Sequence, residues 1–117
     1  MTTIYNSKMD IDKQTQEKIQ ELQGFEQNLH GLLMQKQAFQ MEQTETENAL
    51  SEISKSKDDI FKIVGNIMIK TEKKKIEDEL KKKQELITLR LSSIESQETD
   101  LTNKAEELKK EVMKNIK

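Results

Sequence analysis

Apolar residues recur at seven-residue steps in each half of the chain, in two interleaved series per half. The first half holds the series Leu22, Leu29, Lys36, Gln43, Leu50 and the series Ile11, Lys18, Phe25, Leu32, Phe39, Thr46, Ile53. The second half holds Leu80, Ile87, Ile94, Leu101, Leu108 and, beside them, Gln84, Leu91, Glu98, Ala105, Val112. Paired series at this spacing mark the a and d positions of a coiled coil. The pattern predicts two helices, about 9–54 and about 74–114, each with one buried seam.

The stretch between the predicted helices has a different pattern. Two apolar runs, 60–64 and 67–71, flank Gly65 and Asn66, and a two-residue loop that begins with Gly is typical of a type II′ β-hairpin turn. We therefore predict a hairpin over 60–71 that reverses the chain, with Thr71 as N-cap of the second helix. The predicted strand pairs are Val64 with Ile67, Ile63 with Met68, Lys62 with Ile69, Phe61 with Lys70, and Ile60 with Thr71.

Both faces of this hairpin are largely apolar. An isolated two-stranded hairpin is marginally stable in water, and its unpaired edges attract further strands. The hairpin is therefore predicted to be an assembly site, made of Ile60, Phe61, Ile63, Val64, Gly65, Asn66, Ile67, Met68 and Ile69. The alternative is a monomer in which the hairpin folds back onto its own helices. The predicted fold class is mainly α, an antiparallel two-helix coiled coil joined by a single central β-hairpin that assembles into an oligomeric β-barrel.

Composition agrees with a narrow seam rather than a wide globular core. The 117 residues are 32% hydrophobic and 36% charged, and a chain of this length corresponds to a single domain over 1–117. There is no cysteine, so disulfides and thiolate metal sites are excluded and a cytoplasmic location is compatible. No apolar run of 18 residues and no signal-peptide pattern occurs, which argues against membrane insertion or export. The mixed charge, −2 overall, argues against nucleic-acid binding.

Candidate catalytic chemistry is absent from the sequence. His30 has no nearby cysteine or second histidine, and no Gly-rich phosphate loop or nucleophile motif occurs. The lysine runs 73–75 and 81–83 alternate with carboxylates at helical spacing, which indicates solvated faces with i,i+4 pairs. We therefore expect no enzyme activity, no catalytic residue, no metal and no cofactor. The polar seam members, such as Lys36 and Gln43, are interpreted as setting the register.

The seam also predicts how the two helices align. If Leu50 faces Leu80 across an antiparallel coil, paired positions total about 130, so Leu29 meets Leu101. The end of the coil opposite the hairpin then carries apolar residues without seam partners. They are predicted to bind exposed apolar segments of other proteins, for which flexible Met is suited, and they are Ile4, Tyr5, Met9, Ile11, Val112, Met113 and Ile116. The alternative is a frayed end without a binding role.

The chain resembles the β-class subunit of archaeal prefoldin. The resemblance rests on the order helix, "IFKIVGNIMIKT", helix, together with "LLMQKQ" from Leu32 and "LITLRLSSIESQETDL" from Leu86. It covers about residues 19–113. The single hairpin resembles the β class, since a resemblance to the α class would call for two hairpins between the helices.

This resemblance implies a hexamer of two α and four β subunits, with the hairpins joined into β-barrels and the coils extending from them. It also implies an ATP-independent chaperone that holds non-native proteins and passes them to a group II chaperonin. Its partners would be a prefoldin α-class subunit and further β subunits, with no nucleic acid and no membrane. The alternative function is a structural coiled-coil adaptor or tether without client binding, for which a short helix-to-helix turn would be enough.

Overall fold

The computed structural model describes residues 12–115, which form two long helices and one hairpin. Helix α1 spans Lys13–Lys55, strand β1 Ile60–Val64, strand β2 Ile67–Thr71 and helix α2 Lys73–Asn115. The two strands pair antiparallel as a two-stranded sheet. The helices and the hairpin of the predicted fold class are confirmed, since two long helices pack with a single antiparallel hairpin between them.

The seven-residue series correctly locate the seam. Every member of the four series that lies within residues 12–115 is buried or half-buried. The most deeply buried apolar side chains are Leu32, Ile87, Ile94 and Val112. Burial concentrated in these rows is what the hydrophobic effect produces in a chain with few apolar residues.

One polar seam member is satisfied by its own helix. Thr46 is buried, and its hydroxyl donates a hydrogen bond to the carbonyl oxygen of Glu42, at 2.7 Å. A threonine can fill a seam position in this way without leaving a buried donor unpaired.

The chain divides into two compact units, and the first contains residues 12–35 and 94–115 among those described. In this unit α1 begins after Asp12, whose Oδ1 accepts a hydrogen bond from the backbone N–H of Thr15, at 2.6 Å. Asp12 is thus the N-cap of α1. Across the two helix segments, Lys18 Nζ lies 3.2 Å from Glu111 Oε2. This pair lies within one residue of the predicted register, since 18 and 111 total 129.

The second unit contains residues 36–93 and includes the hairpin. Here the guanidinium carbon of Arg90 lies 5.9 Å from the centre of the Phe39 ring, a cation–π contact at the same register. The predicted N-cap of the second helix was wrong by one residue. Thr71 pairs with Ile60 in the sheet, and the carbonyl of Glu72 accepts the first helical bond from Ile76, at 3.2 Å.

Candidate functional site

The turn of the hairpin has the predicted geometry. Gly65 has φ +62°, and no other described residue has a positive φ. A positive φ at the first central position alone, with Asn66 negative, distinguishes a type II′ turn from type I′. The observed strand pairs are those predicted, from Val64 with Ile67 to Ile60 with Thr71. The glycine therefore fixes the register and, through it, which side chains share a face.

Both faces of the hairpin are open in the single chain. Every residue from 61 to 70 is exposed, and only the outermost pair, Ile60 and Thr71, is half-buried. The exposed apolar side chains are Phe61, Ile63, Val64, Ile67, Met68 and Ile69. A hairpin folded back onto its own helices would cover them, so the structure does not have the arrangement of that alternative. This contiguous apolar surface is of the kind that marks a protein interface.

The edges of the hairpin also offer backbone groups. The turn joins Val64 and Ile67 by a hydrogen bond, and hydrogen-bonded and non-hydrogen-bonded pairs then alternate along the strands. The N–H and C=O groups of Phe61 and Ile63 on β1 therefore point outwards, as do those of Met68 on β2. With two strands in the sheet, these groups are available to strands of another chain.

Polar contacts fix the base of the hairpin. Lys62 Nζ lies 3.3 Å from Glu79 Oε2 on α2, and Lys70 Nζ lies 3.4 Å from Asp59 Oδ2. Lys73 Nζ donates hydrogen bonds to the carbonyl oxygens of Ser54 and Ser56, each at 3.2 Å.

The Lys73 contacts place a cation at the C-terminal end of α1, where the helix dipole and the unpaired carbonyls favour positive charge. Sequence reasoning did not identify this role for Lys73. The one feature of the sequence that could have indicated this contact is a lysine shortly after the second strand.

Two of the predicted client-binding residues lie in the described part of the chain, and they differ in how far they are exposed. Val112 is 6% exposed and belongs to the seam, whereas Met113 is 66% exposed. In the folded chain only Met113 of these two offers surface to a partner. The other predicted residues lie outside the described part of the chain, and they are Ile4, Tyr5, Met9, Ile11 and Ile116.

Met113 lies at the edge of a shallow open depression on α2. Its other lining residues are Glu106, Lys109, Lys110 and Lys114. The aliphatic stems of such long side chains extend the apolar surface around a methionine, while their charged groups stay in water. The depression can accept an apolar side chain but is too open to enclose a substrate.

Asp12, the N-cap of α1, has a lowered pKa. The backbone N–H of Thr15 donates a hydrogen bond to the ionised carboxyl of Asp12, stabilises it and lowers its pKa. This is the electrostatics of a helix cap and supplies no acid–base pair.

Further apolar residues are exposed away from the seam. They are Leu33, Met34, Met41, Leu86 and Leu89. The seam series do not contain them, so sequence reasoning assigned them no role. Single apolar side chains on a helix surface are normal.

The described residues contain no arrangement typical of a catalytic centre. Within 12–115, no group of three or more His, Cys, Asp and Glu side chains could hold a metal ion, and His30 is exposed. No helix in this part of the chain is long and apolar enough to span a membrane.

Comparison with known proteins gives consistent matches over most of the chain. The family model described as "Prefoldin subunit" matches residues 16–117. The prefoldin subunit beta of Thermococcus onnurineus is 39% identical over 105 residues, 88% of this chain and 90% of that protein. The prefoldin subunit beta of Methanosarcina acetivorans is 35% identical over the same shares. The crystal structure of the prefoldin beta subunit from Thermococcus strain KS-1 is similar with TM-score 0.84 and 35% identity, covering 92% of this chain and 96% of that one.

Proposed function

The chain belongs to the prefoldin family, and on this basis we propose that it is a β-class subunit of a hexameric, ATP-independent chaperone. Family membership implies a chaperone subunit that assembles with other prefoldin subunits. In the proposed complex, two α-class and four β-class subunits join through their hairpins. The free ends of the coils capture non-native proteins and deliver them to a group II chaperonin.

The observation that carries this proposal is the exposed hairpin. Six apolar side chains stand in water on its two faces, beside outward-pointing backbone groups that a neighbouring strand can pair with. A tether needs only a short helix-to-helix connection, so a rigid, apolar, two-edged hairpin supports assembly instead. Closing such hairpins into a barrel removes the free edges and buries one face.

Client binding is assigned to the chain ends. Met113 supplies an exposed, flexible thioether, and the apolar residues before Asp12 and at Ile116 are proposed to act with it. Each contact is weak, but several coil ends around one client raise the effective concentration of the others. Flexible methionines fit clients of many shapes, as a general chaperone requires.

The kind of binding supports ATP independence. The sequence has no Gly-rich phosphate loop, and weak multivalent apolar contacts release a client when a competing surface takes it. Transfer to a chaperonin then needs no nucleotide hydrolysis by this complex.

The test mixes the purified chain with an α-class prefoldin subunit and measures two quantities. Light scattering gives the mass of the complex, and turbidity follows the thermal aggregation of an unrelated client protein. We expect a hexamer that suppresses aggregation without ATP. A complex of the correct mass that gives no suppression would instead indicate the tether function.

A further inference from the structure

The two helices carry opposite charge next to the hairpin. On α1, residues 37–54 contain no Lys or Arg, and the glutamates of this stretch are Glu42, Glu45, Glu47 and Glu52, which we call the acidic segment. On α2, residues 73–83 contain six lysines, of which Lys74, Lys75, Lys81 and Lys82 form what we call the basic segment. All eight side chains belong to exposed residues.

Two carboxylates of α2 between the lysines of the basic segment form ion pairs with lysines outside that segment. Glu77 Oε1 lies 4.0 Å from Lys73 Nζ, and Glu79 binds Lys62 of β1. The predicted i,i+4 pairing therefore holds for Lys73 with Glu77, while no ion pair among the described residues involves a lysine of the basic segment. Asp78 and Glu85 are also exposed, and they reduce the positive charge of this part of α2 without forming an ion pair with the basic segment.

The same holds for the acidic segment in the part of the chain that the structure describes. No ion pair among the described residues involves its four glutamates, although both segments belong to the same compact unit. With paired positions totalling 129, Lys82 lies level with Glu47 along the coil. Opposite charges that form no ion pair within the described part of one chain are available to pair with those of another chain.

We propose that the basic segment of one chain docks against the acidic segment of a second copy of this chain. The proposal rests on assembly through the hairpin, because the two segments lie on either side of that surface in sequence, and joined hairpins would bring the segments of neighbouring chains near one another. A contact between two different surfaces joins chains head to tail, and it forms part of a ring where the rotation between neighbours closes. The charge pairs orient neighbouring chains and accelerate their association, and the apolar hairpin holds them together.

The test is a charge swap followed by sedimentation over a range of concentrations. One variant changes the four lysines of the basic segment to Glu, a second changes the four glutamates of the acidic segment to Lys, and a third combines both. Each single reversal should raise the concentration for half-assembly by about fifteen- to six-hundredfold, because each of the four exposed pairs contributes a factor of about two to five. The combined variant should recover most of the wild-type assembly.

The matched control reverses four lysines of the other compact unit, Lys104, Lys109, Lys110 and Lys114, and should leave assembly unchanged. The difference between wild type and the single reversals should shrink as salt rises from about 0.05 to 0.5 M, where charges are screened within a few ångströms. Circular dichroism confirms that each variant keeps its helix content.

The outcomes separate this proposal from the hairpin assembly beneath it. Wild-type assembly that neither reversal weakens would overturn the charge contact alone and leave the lysines facing solvent or an anionic ligand. A combined variant no better than the single reversals would also overturn it. A wild-type chain that stays monomeric at every concentration, alone and with an α-class subunit, would overturn both proposals.

Discussion

Placing a carboxylate on the hairpin should break assembly while the chain itself stays folded. Ile67→Asp and Ile69→Asp change residues that are 64% and 49% exposed in the single chain. Substitutions at such exposed positions alter folding stability by less than about 0.5 kcal/mol. Any larger effect on the complex therefore measures burial between chains.

The expected loss follows from two terms. Full burial of an isoleucine contributes about 1.5–3 kcal/mol, so the surface that Ile67 still exposes corresponds to about 1–2 kcal/mol per copy. A carboxyl with a pKa of about 3.9 must be protonated to enter an apolar interface at pH 7, which costs about 4 kcal/mol at 1.36 kcal/mol per pKa unit. The two together, about 5–6 kcal/mol, weaken each contact by roughly 10⁴-fold.

The assay compares both variants with Met34→Asp, a control at a residue that is 56% exposed on α1. Multi-angle light scattering gives the mass, and circular dichroism at 222 nm gives the helix content. We expect the hairpin variants to lose the oligomer with full helix content, and the control to keep it. An unchanged mass for both hairpin variants would refute the reasoning that these side chains are buried between subunits.

Three further predictions concern the coil. Ile94 is 4% exposed, so Ile94→Ala should lower the free energy of unfolding in urea by about 2–4 kcal/mol. The control Leu89→Ala, at an exposed position, should change this free energy by less than about 0.5 kcal/mol. Equal effects of the two substitutions would contradict the burial of Ile94 in the seam. Cysteines introduced together as Leu29→Cys and Leu101→Cys should cross-link within one chain on oxidation, whereas a cross-linked dimer on a denaturing gel would mean that the seam pairs two chains. The lowered pKa of Asp12 contributes stability that is fully present above the unfolded-state pKa of about 3.9 and is lost as the pH falls through the folded-state pKa. Asp12→Asn should therefore remove this part of the acid dependence in thermal melts from pH 2 to 6. An unchanged pH profile would contradict the role of Asp12 as the N-cap.

Period and turn chemistry were enough to predict the fold. A seven-residue repeat places a side chain on the same stripe of a helix whatever its polarity, which is why Gln43 and Glu98 are half-buried as their positions predicted. Gly65 predicted the turn because glycine is the one amino acid without a Cβ, whose steric clashes disfavour a positive φ.

The partners of individual charged side chains could not be predicted from the sequence. Lys73 donates hydrogen bonds to carbonyl oxygens at the end of α1, and Glu79 forms an ion pair with Lys62 of β1. Such choices differ by less than about 1 kcal/mol and depend on where the chain returns in space. Val112 is a different case, since its heptad position placed it in the seam, whereas its nearness to the chain end suggested exposure. The packed seam decides in favour of burial.

Client capture by the coil ends is the central claim, and one measurement tests it directly. The variant lacks residues 1–11 and 116–117 and carries Met113→Ser, so that the cap at Asp12 and the buried Val112 remain. Assembled with an α-class subunit, it should keep the wild-type mass and helix content but lose most of its ability to suppress aggregation of a denatured client. A matched full-length control, Met41→Ser with Leu89→Ser, removes exposed apolar side chains elsewhere and should suppress aggregation fully. Full suppression by the correctly assembled end variant would contradict the account and place client binding on the sides of the coil or on the hairpin assembly.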